Sequence, residues 1–346
     1  MLHKISAVCL GIFGCVSLYA QTDSTKTAAT SSTSFTGSVD AYYRFNFSNP
    51  PGATNNLTSF TNSQNSFELG MASLRVDHTA GKVAATLDIG FGRRAQEFSY
   101  NDPGTTMQMI KQAFLSYAPS SSFKLTMGKW ATHVGWELLD AYANRNYSMS
   151  YGFSYGPFFH TGLKADISLG GKTALMVGIA NPTDYTTTTS TVKTFIAQLS
   201  TASKNDKFKA WLNYQGATGL SQFNLVLNGT VSDKFSLVYD GNIQSTTQNS
   251  TNSAWNSHAI YLNYDPVSSF GLTLRGDYFK DRTENPLLGA AGNIFALTLS
   301  GNAKINNLTI IPELRWDSAK GDVFLDSKGS PIGSTGTFIL AATYKF

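Results

Sequence analysis

The chain has 346 residues, of which 14% are charged and 13% aromatic, and its formal net charge is +4. Basic residues are scattered singly, which argues against the clustered footprint of a nucleic-acid-binding protein. The cysteines, Cys9 and Cys15, lie close to the N-terminus, so the chain beyond them holds no disulfide, thiol nucleophile or cysteine metal site.

Residues 1–20 have the pattern of a secretory signal peptide. His3 and Lys4 give a short positive start, Ile5 to Val16 form an apolar run, and Leu18-Tyr19-Ala20 is an acceptable cleavage site before Gln21. The run is shorter than the roughly 20 residues a spanning helix needs. Cys15 after Gly14 invites a lipoprotein reading, but Phe13 fits a lipobox poorly. Residues 21–34 are rich in Ser, Thr and Ala and are expected to be a flexible periplasmic linker. No later segment is long and apolar enough for a membrane helix, so insertion into lipid would require a closed β-barrel, in which every backbone polar group is paired.

From Phe35 the sequence alternates. Phe35, Gly37, Val39, Ala41, Tyr43, Phe45 and Phe47 fall on one face, while Asp40, Arg44 and Asn46 fall on the other. A period of two sustained over so many residues matches a tilted membrane strand of about 9–11 residues with some overhang. Further strands are expected near 66–78, 82–91, 109–118, 123–130, 157–169, 173–180, 193–201, 207–215, 220–231, 234–244, 254–264, 270–280, 293–302, 307–317 and 336–346. The fold class is thus all-β, a transmembrane antiparallel barrel of about sixteen strands spanning 35–346. Pro312 weakens the 307–317 assignment, because proline cannot donate to a ladder. The connections alternate between tight turns and long loops, near 48–65, 92–108, 131–156, 181–192, 245–253, 281–292 and 318–335. Only 216–219 is short where length is expected. This is the asymmetry of short periplasmic turns and long extracellular loops.

The polar face of these strands collects Asp40, Arg44, Lys82, Asp88, Lys124, Lys164, Asp166, Lys207, Lys209, Asp240, Arg275, Asp277, Glu313, Arg315 and Asp317. A lumen of mixed sign predicts weak ion selectivity with a slight anion preference, unless the charges pair across strands and brace the wall. His78, His133, His160 and His258 lack zinc-site spacing, and His160 falls on the lumen face with Lys164 and Asp166. No G-x-S-x-G elbow is visible. Asp265 and Asp281 stand at strand ends without a calcium-loop pattern around them. The residues therefore suggest no catalytic site, metal or cofactor.

The 131–156 connection sets Glu137, Asp140 and Arg145 among Trp136, Tyr142, Tyr147, Tyr151, Phe153 and Tyr155. WELLDAYA could form a turn or two of helix with Glu137 and Asp140 on one side. Gly135-Trp136-Glu137, Asn144, Asn146-Tyr147-Ser148, Pro157-Phe158, His160-Thr161-Gly162 and the preceding Phe123–Lys129 together resemble the signature of the OmpL-like outer-membrane porin family. The resemblance is specific only over about 110–165. Trp136 departs from the tyrosine more usual there, and the loops from Ser245 onward match nothing particular. The resemblance implies passive transport of small hydrophilic solutes. By analogy with the third loop of general porins, Trp136, Glu137, Asp140, Arg145 and Tyr147 are candidates for a pore constriction. A loop packed outside as a lid is the alternative.

The chain ends on Phe338, Leu340, Ala342, Tyr344 and Phe346, alternating with polar or small residues. This ending resembles the C-terminal signal read by the barrel assembly machinery, with Tyr344 and Phe346 in the lipid-interface girdle. The expected partners are outer-membrane lipids, that machinery and small solutes, with a homo-oligomer possible and no nucleic acid. The expected setting is the outer membrane of a Gram-negative bacterium. About sixteen strands would enclose an aqueous channel, as in a porin. The alternative is a closed barrel acting as a receptor, adhesin or anchor through its outer loops.

Overall fold

The computed structural model describes residues 31–248, 251–282, 288 and 292–346. The expected signal peptide and most of the expected linker lie outside these residues. The first half of the sheet is β1 (Ser31–Asn46), β2 (Ser66–Ala80), β3 (Val83–Phe91), β4 (Ile110–Ser120), β5 (Phe123–Ala131), β6 (Phe159–Gly170), β7 (Thr173–Ala180) and β8 (Thr194–Ala202). The second half is β9 (Phe208–Ala217), β10 (Leu220–Ser232), β11 (Phe235–Gln248), β12 (Thr251–Val267), β13 (Phe270–Asp281), β14 (Asn293–Ile305), β15 (Leu308–Ala319) and β18 (Ser334–Lys345). β16 (Phe324–Leu325) and β17 (Pro331–Ile332) form a small separate hairpin in the last long connection.

The sixteen long strands close into one antiparallel barrel, each paired with its sequence neighbour, and β18 pairs with β1. Alternation dictates which way each side chain points. In β13 the buried positions include Thr273, Arg275, Asp277 and Phe279, while Leu212, Phe223, Leu237, Leu262, Leu314 and Trp316 lie on the exposed outer face. The outside is the apolar surface that lipid requires.

Two sequence expectations shift and one that Pro312 had weakened holds. β1 starts at Ser31, so the last four residues expected in the linker are strand. The 245–253 connection is not long: β11 and β12 continue to a Gln248↔Thr251 pair as a tight hairpin. Pro312 does belong to a barrel strand. The β14–β15 ladder is interrupted beside it, resuming at Ala303↔Ile310 after Ser300↔Glu313 with register unchanged, so its missing N–H leaves a local gap without shifting the strand.

The last residue completes the closing seam, which runs from Asn46↔Thr337 to Ser38↔Lys345. Phe346 N donates to Gly37 O and Gly37 N donates to Phe346 O, both at 2.9 Å. The Phe346 ring lies over Gly37, so a Cβ there would stand 2.2 Å from Phe346 Cζ. Glycine leaves the room that the terminal aromatic fills. Gly37→Leu should therefore destabilise the assembled barrel by about 1–2 kcal/mol. In a Phe346→Ala background it should cost measurably less, as read by urea unfolding in lipid.

Candidate functional site

The third long connection, residues 132–158 and hereafter L3, folds into the lumen. It passes against both sides of the wall and is held mainly by its own backbone. An N–H buried away from water needs an acceptor. Lumen carboxylates supply these acceptors, and a charged acceptor makes the stronger hydrogen bond. Glu313 on β15 accepts from Tyr147 N at 2.7 Å and Ser148 N at 3.0 Å. Asp277 on β13 accepts from Tyr151 N at 2.6 Å, and Asp240 on β11 accepts from Trp136 N at 2.9 Å.

Each of the five constriction candidates reaches a different part of the wall. Glu137 accepts from Arg275 Nη1 at 2.7 Å and from Ser150 N at 2.8 Å. Arg275 also donates to the Ser148 and Met149 carbonyls, so one guanidinium ties Glu137 to the Ser148–Met149 stretch of the loop. Asp140 turns the opposite way, to Lys111 Nζ on β4 at 2.6 Å, and the same ammonium lies 3.0 Å from Asp88. Arg145 donates to both oxygens of Asp265 at 3.0 and 2.8 Å, deep toward the turn after β12. The Tyr147 hydroxyl donates to Asp40 at 2.6 Å, and Trp136 packs on Trp211 with ring centroids 6.3 Å apart.

The expected helix is absent, and only a single 3₁₀ turn forms at Ala141–Ala143. Glu137 and Asp140 therefore do not share a side. Their partners stand on different strands, and an α-helix could not have delivered both. Asp265, considered for calcium, is instead the anchor for Arg145. Among the described residues no cluster of three or more His, Cys, Asp or Glu is placed to hold a metal ion.

Of the lumen charges expected from the alternation, Arg44, Asp88, Arg275, Asp277, Glu313 and Arg315 are buried, whereas Lys164 and Asp166 are partly exposed. They pair rather than stand free: Arg315 with Asp317 at 2.8 Å and Lys164 with Asp166 at 3.4 Å. Arg44 donates to the Thr54 and Ser63 carbonyls of the first long connection. Arg315 donates to Met149 O at 2.7 Å, adding a second cation beneath the loop.

Some supports were not read from the sequence. Arg94, on the short helix α1 (Arg93–Phe98) of the second long connection, is fully buried. It donates to Leu139 O and stacks on Tyr147, with its guanidinium carbon 4.9 Å from the ring centroid. Gly70, at the β1–β2 register shift, makes room for the Tyr147–Asp40 contact, since a Cβ would lie 1.9 Å from Asp40 Oδ2. An arginine outside any strand pattern and a lone glycine gave no signal of these roles. An apolar cluster of Phe60, Phe98, Leu139, Met149, Phe153 and Phe158 fuses the first three long connections.

The C-terminal root of L3 is held by the fourth long connection, 181–193. Asp184 accepts from Phe158 N at 2.7 Å, Phe159 N at 2.9 Å and the Tyr100 hydroxyl at 3.2 Å. Burial pushes its carboxyl up to about 7, although those three donors and Lys129 favour the charged form. At the other root, His133 donates its Nε2–H to Tyr214 O at 3.0 Å, and burial lowers its pKa to about 4, so it is neutral at pH 7.

Residues 32–346 match the family described as "beta-barrel porin-2, OmpL-like". No curated protein matches the chain. Among solved structures, the outer-membrane channel DcaP of Acinetobacter baumannii is 12% identical over 91% of this chain and 97% of its own, with a TM-score of 0.62. The anion-selective porin of Comamonas acidovorans is 11% identical over 92% and 100%, with a TM-score of 0.64. The trimer form of OmpT from Vibrio cholerae is 12% identical over 91% and 99%, with a TM-score of 0.60. At these identities the likeness is one of fold.

Two outcomes follow. Arg275→Met removes the cation opposite buried Glu137 and should destabilise the barrel by about 3–5 kcal/mol, measured by urea unfolding. For Asp184, the folded carboxyl titrates near 7 against an ordinary value of 3.8. Its docking is therefore most favourable below about 4 and weakens as pH rises toward about 7. Hydrogen exchange at the Phe158 and Phe159 amides, corrected for intrinsic rates, should accelerate across that window in the native chain. In Asp184→Asn it should not.

Proposed function

Because the chain belongs to the OmpL-like β-barrel porin family, we propose that it lets small hydrophilic solutes diffuse passively across the outer membrane, with L3 as the constriction of the pore. The observation that carries this reading is the position of L3 inside the barrel. Its backbone is bound to Glu313, Asp277 and Asp240 on three wall strands. A lid resting outside the barrel would have no reason to direct its buried N–H groups at lumen carboxylates.

The proposed mechanism is selection by size and polarity at a fixed obstruction. Trp136, Glu137, Asp140, Arg145 and Tyr147 set the obstruction by where they anchor the loop. None of them presents a free nucleophile or an acid–base pair, because each charged group is already matched: Glu137 by Arg275, Asp140 by Lys111 and Arg145 by Asp265. Such pairing also makes the constriction rigid, and a rigid obstruction gives a stable conductance rather than a gated one. A recess of about 470 Å³ on the loop side, lined by Asn62, Glu97, Tyr100, Tyr155 and Phe158 among others, would be the entrance above it. Export by the N-terminal signal, recognition of Tyr344 and Phe346 during assembly, and a homo-oligomeric state like the trimer form of the Vibrio cholerae protein belong to the same reading.

The test is planar-bilayer conductance of the refolded chain beside a variant lacking 136–154, with heat-modifiable migration confirming that each barrel is folded. Stepwise conductance that rises in the variant is expected. Equal conductance in the two would reject L3 as the constriction. A folded barrel with no conductance would overturn the porin reading and move the function to the outer loops.

A further inference from the structure

The lumen charges are not evenly distributed along the barrel axis. Around L3 the carboxylates are buried or partly buried, and each is engaged by backbone N–H groups or a cation. Glu313, Asp277 and Asp240 hold backbone N–H groups, while Glu137, Asp140 and Asp317 face Arg275, Lys111 and Arg315. Little negative charge is left facing water at that level.

Toward the tight-turn end the balance reverses. Lys124 on β5 and Lys164 on β6 lie on the inner face and share one carboxylate, Asp166, at 3.3 and 3.4 Å. Lys209 on β9 lies near Asp206, which is already ion-paired with Lys172. Lys345 on β18 stands over the Tyr142 ring of L3, 4.8 Å from its centroid, with no carboxylate in that contact. Lys304 on β14 points to the same face as Asn302, whose amide meets Arg145 O in the lumen. Of the other acids at this level, Asp77 is paired with Arg75 and Asp265 with Arg145, while Asp233 stands in the β10–β11 turn beside Lys234 in the sequence. The excess charge at this level is therefore carried by ammonium ions, distributed around the wall on five strands.

We infer that this lysine belt below L3 makes the pore prefer small anions over cations. The inference rests on the porin reading above. A water-filled lumen walled by low-dielectric protein concentrates the field of unpaired charges, which raises the local concentration of the opposite ion. The buried pairs Arg275–Glu137 and Arg315–Asp317 act on passing ions only weakly, because each is neutral as a unit, and the acidic excess around Lys111 lies at L3 rather than along the belt. Selectivity and size exclusion would thus be separated along the axis: L3 sets the cross-section and the belt sets the sign. The mixture of signs in the sequence suggested only a slight preference, because it counted the carboxylates that L3 takes up.

The experiment is the reversal potential of the refolded full chain in a bilayer under a potassium chloride gradient. Lys124→Gln/Lys164→Gln/Lys345→Gln forms one variant and Lys209→Gln/Lys304→Gln a second, each shown to be folded by heat-modifiable migration. The expected result is a chloride-to-potassium permeability ratio above one in the native chain. It should fall toward one in either variant, with single-channel conductance steps of similar size. In the native chain the ratio should also fall between about 0.1 M and about 1 M salt, where the Debye length shrinks from about 10 to about 3 Å. A native ratio at or below one, or a ratio unchanged in both variants and across salt, would overturn the inference while leaving the porin intact. No conductance from the folded native barrel would overturn both readings.

Discussion

The need of buried backbone N–H groups for acceptors governs how this barrel is filled. L3 brings a long stretch of irregular chain into the lumen, and irregular chain cannot pair with itself as a strand does. An unmet amide there would cost about 1–3 kcal/mol. The wall answers with carboxylates at Asp240, Asp277 and Glu313, spaced so that Trp136, Tyr147, Ser148 and Tyr151 each find one. The course of the loop follows from where those acids stand.

Burying that many acids creates a second requirement, since a carboxylate removed from water must be matched by positive charge or by several donors. Arg275, Arg315 and Arg94 meet it while also binding loop carbonyls, and Lys111 meets it between Asp88 of the wall and Asp140 of the loop. The same side chains therefore neutralise the wall and fasten the loop. This coupling means that the path of L3 and the stability of the barrel are not independent properties. It also explains why charge pairing is dense near L3 and sparse toward the tight turns, where no loop consumes the wall.

The outer surface obeys a simpler rule. Lipid offers no hydrogen bonds, so the ladder must close on itself and the facing residues must be apolar. The β18–β1 seam meets the first condition through Gly37 and Phe346. It does so at the last residue of the chain, where a missing pair would leave an open edge.

Strand positions, inner and outer faces and the alternation of turns with loops were legible in the sequence. A barrel wall is a local pattern: each residue faces either lipid or lumen, and its neighbour faces the other. Arg44, Asp88, Arg275, Glu313 and Arg315 could be assigned to the lumen on that ground alone. The places where strand assignment slipped, at Ser31 and at Gln248↔Thr251, are polar overhangs beyond the lipid, where the pattern has no apolar face to mark it. What Glu137 and Asp140 do was beyond reach, because their partners on β13 and β4 lie far away in sequence and only the closed barrel brings Arg275 and Lys111 to opposite sides of one loop. The sequence by itself determined the wall, since alternation is enforced residue by residue by lipid. The tertiary structure decided the course of L3, since the path of a loop through the lumen is set by contacts among strands that meet only when the barrel closes.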